Sequence, residues 1–223
     1  MPDAPVLSAL PFTGGPFAET GYVLRCEHTG RMAFVDPGAA AGRMVDFVRE
    51  SGGKVDAVFL THGHLDHVEG LAVVRAFTDA PIHIHPEARP FLEHAPALAE
   101  RYGLKMEGPL PPPDCAFIPG ESVLVGEVEL QVRFAPGHAP GHVILHAPSA
   151  GLALVGDVVF AGSIGRTDLP GGDFQELMAS IRSEVLTLPD QTRLLPGHGP
   201  ETTVAVERMG NPFLISQTGG GYA

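Results

Sequence analysis

The stretch Thr61-His62-Gly63-His64-Leu65-Asp66-His67 follows directly on the apolar run Ala57-Val58-Phe59-Leu60 and gathers three histidines and a carboxylate within six residues. Side chains two apart on a strand share a face, so His62 and His64 leave the strand end pointing the same way. Asp66 and His67 come next, at a turn where a helix can begin. Neutral imidazoles and carboxylates are the usual ligands of zinc and similar divalent ions. A lone histidine here would be an ordinary polar loop residue; the H-x-H-x-D-H spacing points to a metal site.

Working outward, residues 55–60 are nearly all apolar, as expected of a strand covered on both faces. Upstream, 6–10 is a short apolar run and 11–16 a Gly/Pro loop, while 22–26 and 32–35 predict strands joined by a hairpin at 27–30. Met44, Val45 and Val48 keep helical spacing up to Ser51-Gly52-Gly53. Downstream, Val68, Leu71 and Ala72 predict a helix ending near Phe77. Asp66 and Glu69 stand in the N-cap and N3 relation of a capping box, a use of Asp66 that competes with metal ligation. A strand is expected at 81–85, then a helical segment over 86–102 interrupted by Pro90 and Pro96.

Leu110-Pro111-Pro112-Pro113 is the strongest loop signal in the chain and sets the junction, within 104–120, between two similar halves of a single domain spanning 1–223. Beyond it, strands are predicted at 122–125, 128–134, 142–146, 152–155 and 193–195, with helices over 173–186 and 202–209. The tail at 219–221 is expected to be loose. Strand-then-helix order on both sides of the proline loop makes this an α/β protein.

With 223 residues and 44% apolar composition the chain can bury a large core, and its formal charge of −12 argues against nucleic-acid binding and nuclease action. Cys26 and Cys115 cannot form a disulfide framework and fit a reducing compartment. The opening Met1-Pro2-Asp3-Ala4-Pro5 lacks a basic leader, and no apolar run is long enough to span a bilayer, so a cytoplasmic location without membrane contact is expected.

Three later positions repeat the grammar of the first, a metal-capable side chain after a strand and beside glycine: Pro136-Gly137-His138, Gly156-Asp157 and Pro196-Gly197-His198. Strand ends converge at one edge of a layered fold, so ligands far apart in sequence can meet there. In order, spacing and flanking glycines, the set His62, His64, Asp66, His67, His138, Asp157 and His198 resembles the metallo-β-lactamase-fold hydrolases over nearly the whole chain. Gly162-Ser163-Ile164-Gly165-Arg166-Thr167-Asp168 with the following Leu169-Pro170-Gly171-Gly172-Asp173, and Arg208-Met209-Gly210-Asn211-Pro212-Phe213, are similar to short bacterial glyoxalase-II-like (hydroxyacylglutathione hydrolase-like) members.

That resemblance implies an αββα four-layer sandwich, two mixed sheets flanked by helices, with a two-metal site between the sheets. It implies that His62, His64 and His138 hold one ion, that Asp66, His67 and His198 hold the other, and that Asp157 bridges them. The ions would be divalent, zinc by donor chemistry or else iron or manganese. The implied reaction is attack of a metal-bridging hydroxide on a small, anionic thioester such as a hydroxyacylglutathione, with Asp66 and Asp157 in catalytic positions. Full-length glyoxalase II carries a further C-terminal helical region that helps to hold glutathione, whereas this chain ends at Ala223, soon after His198. The alternatives on the same scaffold are an iron-dependent persulfide dioxygenase, a lactonase or other ester hydrolase, and a non-catalytic binding protein. His142, after Pro140-Gly141, is expected to support a ligand or contact substrate; Arg166 and Asp168 either do the same or pair with each other to order their loop. His28 is expected in a solvent-facing hairpin, His94 at the surface, and His83, His85 and His146 in structural places.

Overall fold

The computed structural model describes residues 6–215, so the predicted tail at 219–221 lies outside the described residues. One six-stranded sheet is built in spatial order from β1 (Leu7–Gly14), β2 (Glu19–Cys26), β3 (Arg31–Val35), β4 (Lys54–Phe59), β5 (Ile82–Ile84) and β6 (Cys115–Ala116). The first three strands pair antiparallel and the last four parallel, β3 belonging to both runs. The second half supplies β7 (Ser122–Val125), β8 (Val128–Phe134), β9 (Val143–Ala147) and β10 (Leu152–Gly156). A two-stranded ribbon follows, β11 (Val159–Phe160) with β12 (Ser163–Ile164), before β13 (Arg193–Pro196) and β14 (Thr202–Thr203) complete the second sheet in the order β14-β13-β10-β9-β8-β7. β10 and β13 are parallel and the other pairs antiparallel, so both six-stranded sheets are mixed.

Three buried clusters separate four layers. Neighbouring strand residues face opposite ways, and here both ways are dry. Leu24, Phe59, Phe117, Leu130, Leu145 and Leu154 meet between the two sheets. Val23, Phe34, Val58 and Ile84 face outward onto α1 (Ala41–Ser51), α2 (Leu65–Val68), α3 (Leu71–Phe77) and α4 (Arg89–Arg101). Ile144, Val155 and Leu194 face the other side, onto α5 (Phe174–Ser180), α6 (Val204–Gly210) and α7 (Pro212–Ile215). Double coverage explains why strands such as Ala57-Val58-Phe59 are continuously apolar. Phe59, fully buried against Phe117 with ring centres 5.9 Å apart, is a keystone of the middle layer. Its truncation to alanine costs about 3–5 kcal/mol.

Several local expectations are corrected. The predicted loop at 11–16 is mostly strand: β1 runs to Gly14, with Pro11 opposite Tyr22. Proline is tolerated because β1 is an edge strand, where a missing N–H leaves no neighbour unpaired. Pro96 does not interrupt α4, since the buried face formed by Leu92, Ala95 and Ala99 holds both halves of the helix to the sheet. Pro90 sits in the first turn, where no N–H is required. The capping box on Asp66 does not form; His64 occupies the N-cap position without a side-chain cap bond, and Asp66 lies in the first turn.

The sheet edges that carry the histidines are tied together by main-chain bonds. Val143 N–H donates to the Thr61 carbonyl at 2.9 Å, Gly197 N–H to Gly156 at 2.9 Å, and Thr20 N–H to Gly197 at 2.7 Å. The C-terminal ends of β4, β10 and β13 therefore meet. Among the described residues no helix is long and apolar enough to cross a membrane.

Candidate metal centre

Hydrogen bonds behind the histidine rings decide which nitrogens face inward. Thr61 Oγ1–H donates to Asp36 Oδ2 at 2.6 Å, which leaves the hydroxyl oxygen to accept from His62 Nδ1 at 3.0 Å. His138 Nδ1 donates to the Arg166 carbonyl at 2.8 Å. Both rings then carry a lone pair on Nε2. These two atoms lie 3.0 and 2.9 Å from the same third nitrogen, His64 Nδ1. Three ring nitrogens converging in this way fit a cation, whose tetrahedral imidazole ligands stand about 3.3 Å apart.

A second group forms beside the first. His67 Nδ1 donates to Asp36 Oδ2 at 3.1 Å, so its Nε2 faces Asp157 Oδ1 at 3.4 Å. His198 Nδ1 donates to the Phe17 carbonyl at 3.2 Å, leaving Nε2 at 3.3 Å from Asp66 Oδ2 and 3.5 Å from Asp157 Oδ2. Asp157 Oδ2 is also 3.5 Å from His138 Nε2, in the first group. Donor atoms of His62, His64 and His138 lie within 4.8 Å of one another, as do those of Asp66, His67 and His198. His67 Nε2 and Asp157 Oδ1 are buried and face each other at 3.4 Å without a well-formed hydrogen bond among the described residues. Buried polar atoms are nearly always satisfied, so this pair fits a metal bound between them. All seven sequence-derived candidates thus meet at one place.

The electrostatics divide the same way. Burial and neighbouring rings push His62 well below the ordinary histidine range and His64 down to about 3; burial also lowers His138. These rings stay neutral, as ligation requires. Burial opposes charge on His67 too, but Asp157 and Asp66 overcome it and raise the ring well above its usual value. Burial would raise Asp157, and His67 and its neighbours instead hold it far below the carboxylate range.

Asp36 also offers an oxygen near His62 and His67, but its carboxylate is committed to Thr61 N–H (2.7 Å), Thr61 Oγ1 and His67 Nδ1. It orients the cluster, a role that nothing in the local sequence Asp36-Pro37-Gly38 marks. His142 is fully buried, stacked on His62 with ring centres 4.7 Å apart, and its Nε2 accepts from the Asp157 main-chain N–H at 3.0 Å. Arg166 and Asp168 form an exposed bidentate pair at 2.7 and 2.8 Å; Arg166 touches the cluster through its carbonyl, not its guanidinium. Phe91 lies 5.9 Å from the His64 ring and Phe160 5.9 Å from the His198 ring, while Phe17 meets Tyr102 edge-on at 6.0 Å. The remaining histidines stand elsewhere: His28 on Glu127 in an exposed hairpin, His83 beside Phe59 and Phe117, His85 capping a short turn, His94 exposed on α4, and His146 near Gln131.

Residues 14–198 match the model of the metallo-beta-lactamase superfamily. The chain is 37% identical over 201 residues to the probable metallo-hydrolase YqgX of Bacillus subtilis, covering 90% of this chain and 94% of that protein. It is 36% identical over 194 residues to the hydroxyacylglutathione hydrolase GloC of Haemophilus influenzae, covering 83% of this chain and 88% of that protein. Among solved structures, the di-iron-bound form of TTHA1623 superposes with a TM-score of 0.82 at 37% identity, over 92% of this chain and all of the other (100%). The chain belongs to the metallo-beta-lactamase superfamily, and its αββα sandwich is the fold of that family. Within it, the kinship with metallo-hydrolases and the paired histidine–aspartate groups make it a metal-dependent hydrolase.

Proposed function

We propose that the protein is a dinuclear metallo-hydrolase that cleaves a thioester of the hydroxyacylglutathione type. The observation that carries the two-ion reading is the position of Asp157, whose carboxylate lies within 3.4–3.5 Å of ring nitrogens from both groups. His62, His64 and His138 would hold one ion and Asp66, His67 and His198 the other, with Asp157 placed between the two groups. Zinc suits this donor set, and iron and manganese suit it too. When bound, two such ions supply an acidified water as nucleophile and withdraw electrons from a carbonyl oxygen.

The protein's own groups set the geometry of that chemistry. Asp36 and Thr61 fix the tautomers of His67 and His62, and the Arg166 carbonyl fixes that of His138. His142 holds the main chain of Asp157. Asp66, partly exposed at the helix start, can both ligate and accept a hydrogen bond from the attacking water. A thiolate leaves without strong acid assistance, so a thioester needs no further proton donor. The relative named as a hydroxyacylglutathione hydrolase supports this substrate class. The charge of −12 and two free thiols support a small-molecule substrate in a reducing, cytoplasmic setting.

Metal analysis paired with S-D-lactoylglutathione turnover tests the proposal. Two ions per chain and metal-dependent thiol release are expected. Oxygen uptake with glutathione persulfide by iron-loaded protein, without thioester turnover, would replace this reading with the dioxygenase one.

A further inference from the structure

Glu19 is a glutamate in a place where a carboxyl group has no evident structural use. It opens β2 and is only 1% exposed, and both of its carboxyl oxygens are buried without a hydrogen-bond partner among the described residues. A buried polar group without a partner is costly, so packing alone would favour an apolar side chain. The carboxyl group occupies a hollow left by Gly38: a methyl group there would collide at once with Glu19 Oε2 and with the main-chain oxygen of Asp66. Glycine at 38 is thus what lets Glu19 and the Asp66 turn share that space. The main chain of Glu19 forms an antiparallel bridge with His198, reinforced by Thr20 N–H donating to Gly197 at 2.7 Å. One residue therefore abuts both Asp66 and His198, two of the candidate ligands that come from distant parts of the chain.

We propose that Glu19 is a positioning residue for the second ion, its buried carboxyl group packed in the hollow beside the Asp66 turn and its main chain paired with His198, so that the two are kept in register. This rests on the two-ion reading above. The first ion's ligands, His62, His64 and His138, are held by Thr61 and Arg166 instead, so Glu19 acts on the second site selectively.

Zinc titration of purified protein, followed by stoichiometry and by the visible spectrum of the cobalt-substituted form, tests the proposal. Glu19→Gln keeps shape and hydrogen-bonding capacity and retains two ions. Glu19→Leu and Gly38→Ala keep the first ion at wild-type affinity and bind the second at least about tenfold more weakly, in the range seen when supports of metal ligands are removed. Unfolding temperatures of the metal-free variants separate this from general destabilisation, which weakens both sites alike. If Glu19→Leu takes up two zinc ions as the wild type does, shape alone suffices and the proposal is wrong. If the wild type itself binds one ion, the two-ion reading fails and the proposal with it.

Discussion

Asp36 Oδ2 accepts from His67 Nδ1 at 3.1 Å, and this contact turns the other nitrogen of His67 toward Asp157 at 3.4 Å. Asp36 is itself locked by the Thr61 main chain and hydroxyl, with its own backbone at a φ of 45°, a left-handed conformation that aspartate tolerates better than most residues. The same carboxylate therefore supports His67 directly and His62 through Thr61. Asp36→Ala removes both supports. Metal affinity is expected to fall about 10–100-fold, the usual effect of deleting a carboxylate behind a ligating histidine. Competition with a zinc chelator measures it, and unchanged affinity would refute the orienting role.

The metal-free protein is expected to lose stability as pH rises from 7 toward 10. Burial pushes the Glu19 carboxyl up to about 10, whereas the unfolded chain titrates near 4.5. Between these values the folded state retains a proton that the unfolded state releases, so rising pH favours unfolding. His67 adds to this: its raised value stabilises the folded state fully below 6.5, and that contribution disappears as pH climbs through the folded value. Each group adds up to about 1.4 kcal/mol per pH unit within its window. Urea unfolding at pH 7, 8 and 9 in a chelator reads the slope, and Glu19→Gln flattens it. A wild-type slope of zero would contradict both assignments.

Metal uptake at pH 7 is expected to expel at least one proton. His67 is held protonated in the metal-free cluster, and only the neutral ring can ligate. Apparent affinity for zinc therefore rises with pH. Calorimetric titrations in buffers of different ionisation enthalpy give the proton count, and a count of zero would mean that His67 is already neutral or takes no part.

The strand and helix positions and the candidate side chains at strand ends were legible from local pattern, whereas the four-layer sandwich and the grouping of the seven side chains came from the resemblance to metallo-β-lactamase-fold hydrolases. Continuous apolar strands such as Ala57-Val58-Phe59 report burial on two faces, and a histidine or aspartate beside glycine at a strand end reports a turning backbone. What was hidden depends on contacts between distant segments. Pro11 looks like a loop until its strand is seen at an edge, and Pro96 looks like a break until the packing across it is seen. Asp36 and Glu19 lie at a strand end and a strand start with nothing local to mark them. Their meaning comes from Thr61 and His67 in one case, and from Gly38 and His198 in the other.

Two glycines two residues apart are expected to respond differently to the same substitution. A methyl group on Gly197 would collide with Asp157 Oδ1 and the His67 ring. Gly197 also donates to Gly156 and accepts from Thr20, so its backbone has little room to yield. Gly197→Ala should therefore displace the candidate bridging carboxylate, lowering bound metal below two ions per chain and activity by about 10²-fold or more, the scale of a displaced catalytic geometry. Gly199 has open space around it but a φ of +77°, so Gly199→Ala costs about 1–2 kcal/mol of backbone strain and leaves metal content intact. Metal analysis together with thermal unfolding of both variants separates the outcomes. Full metal occupancy in Gly197→Ala would show that Asp157 is not confined between His67 and that glycine.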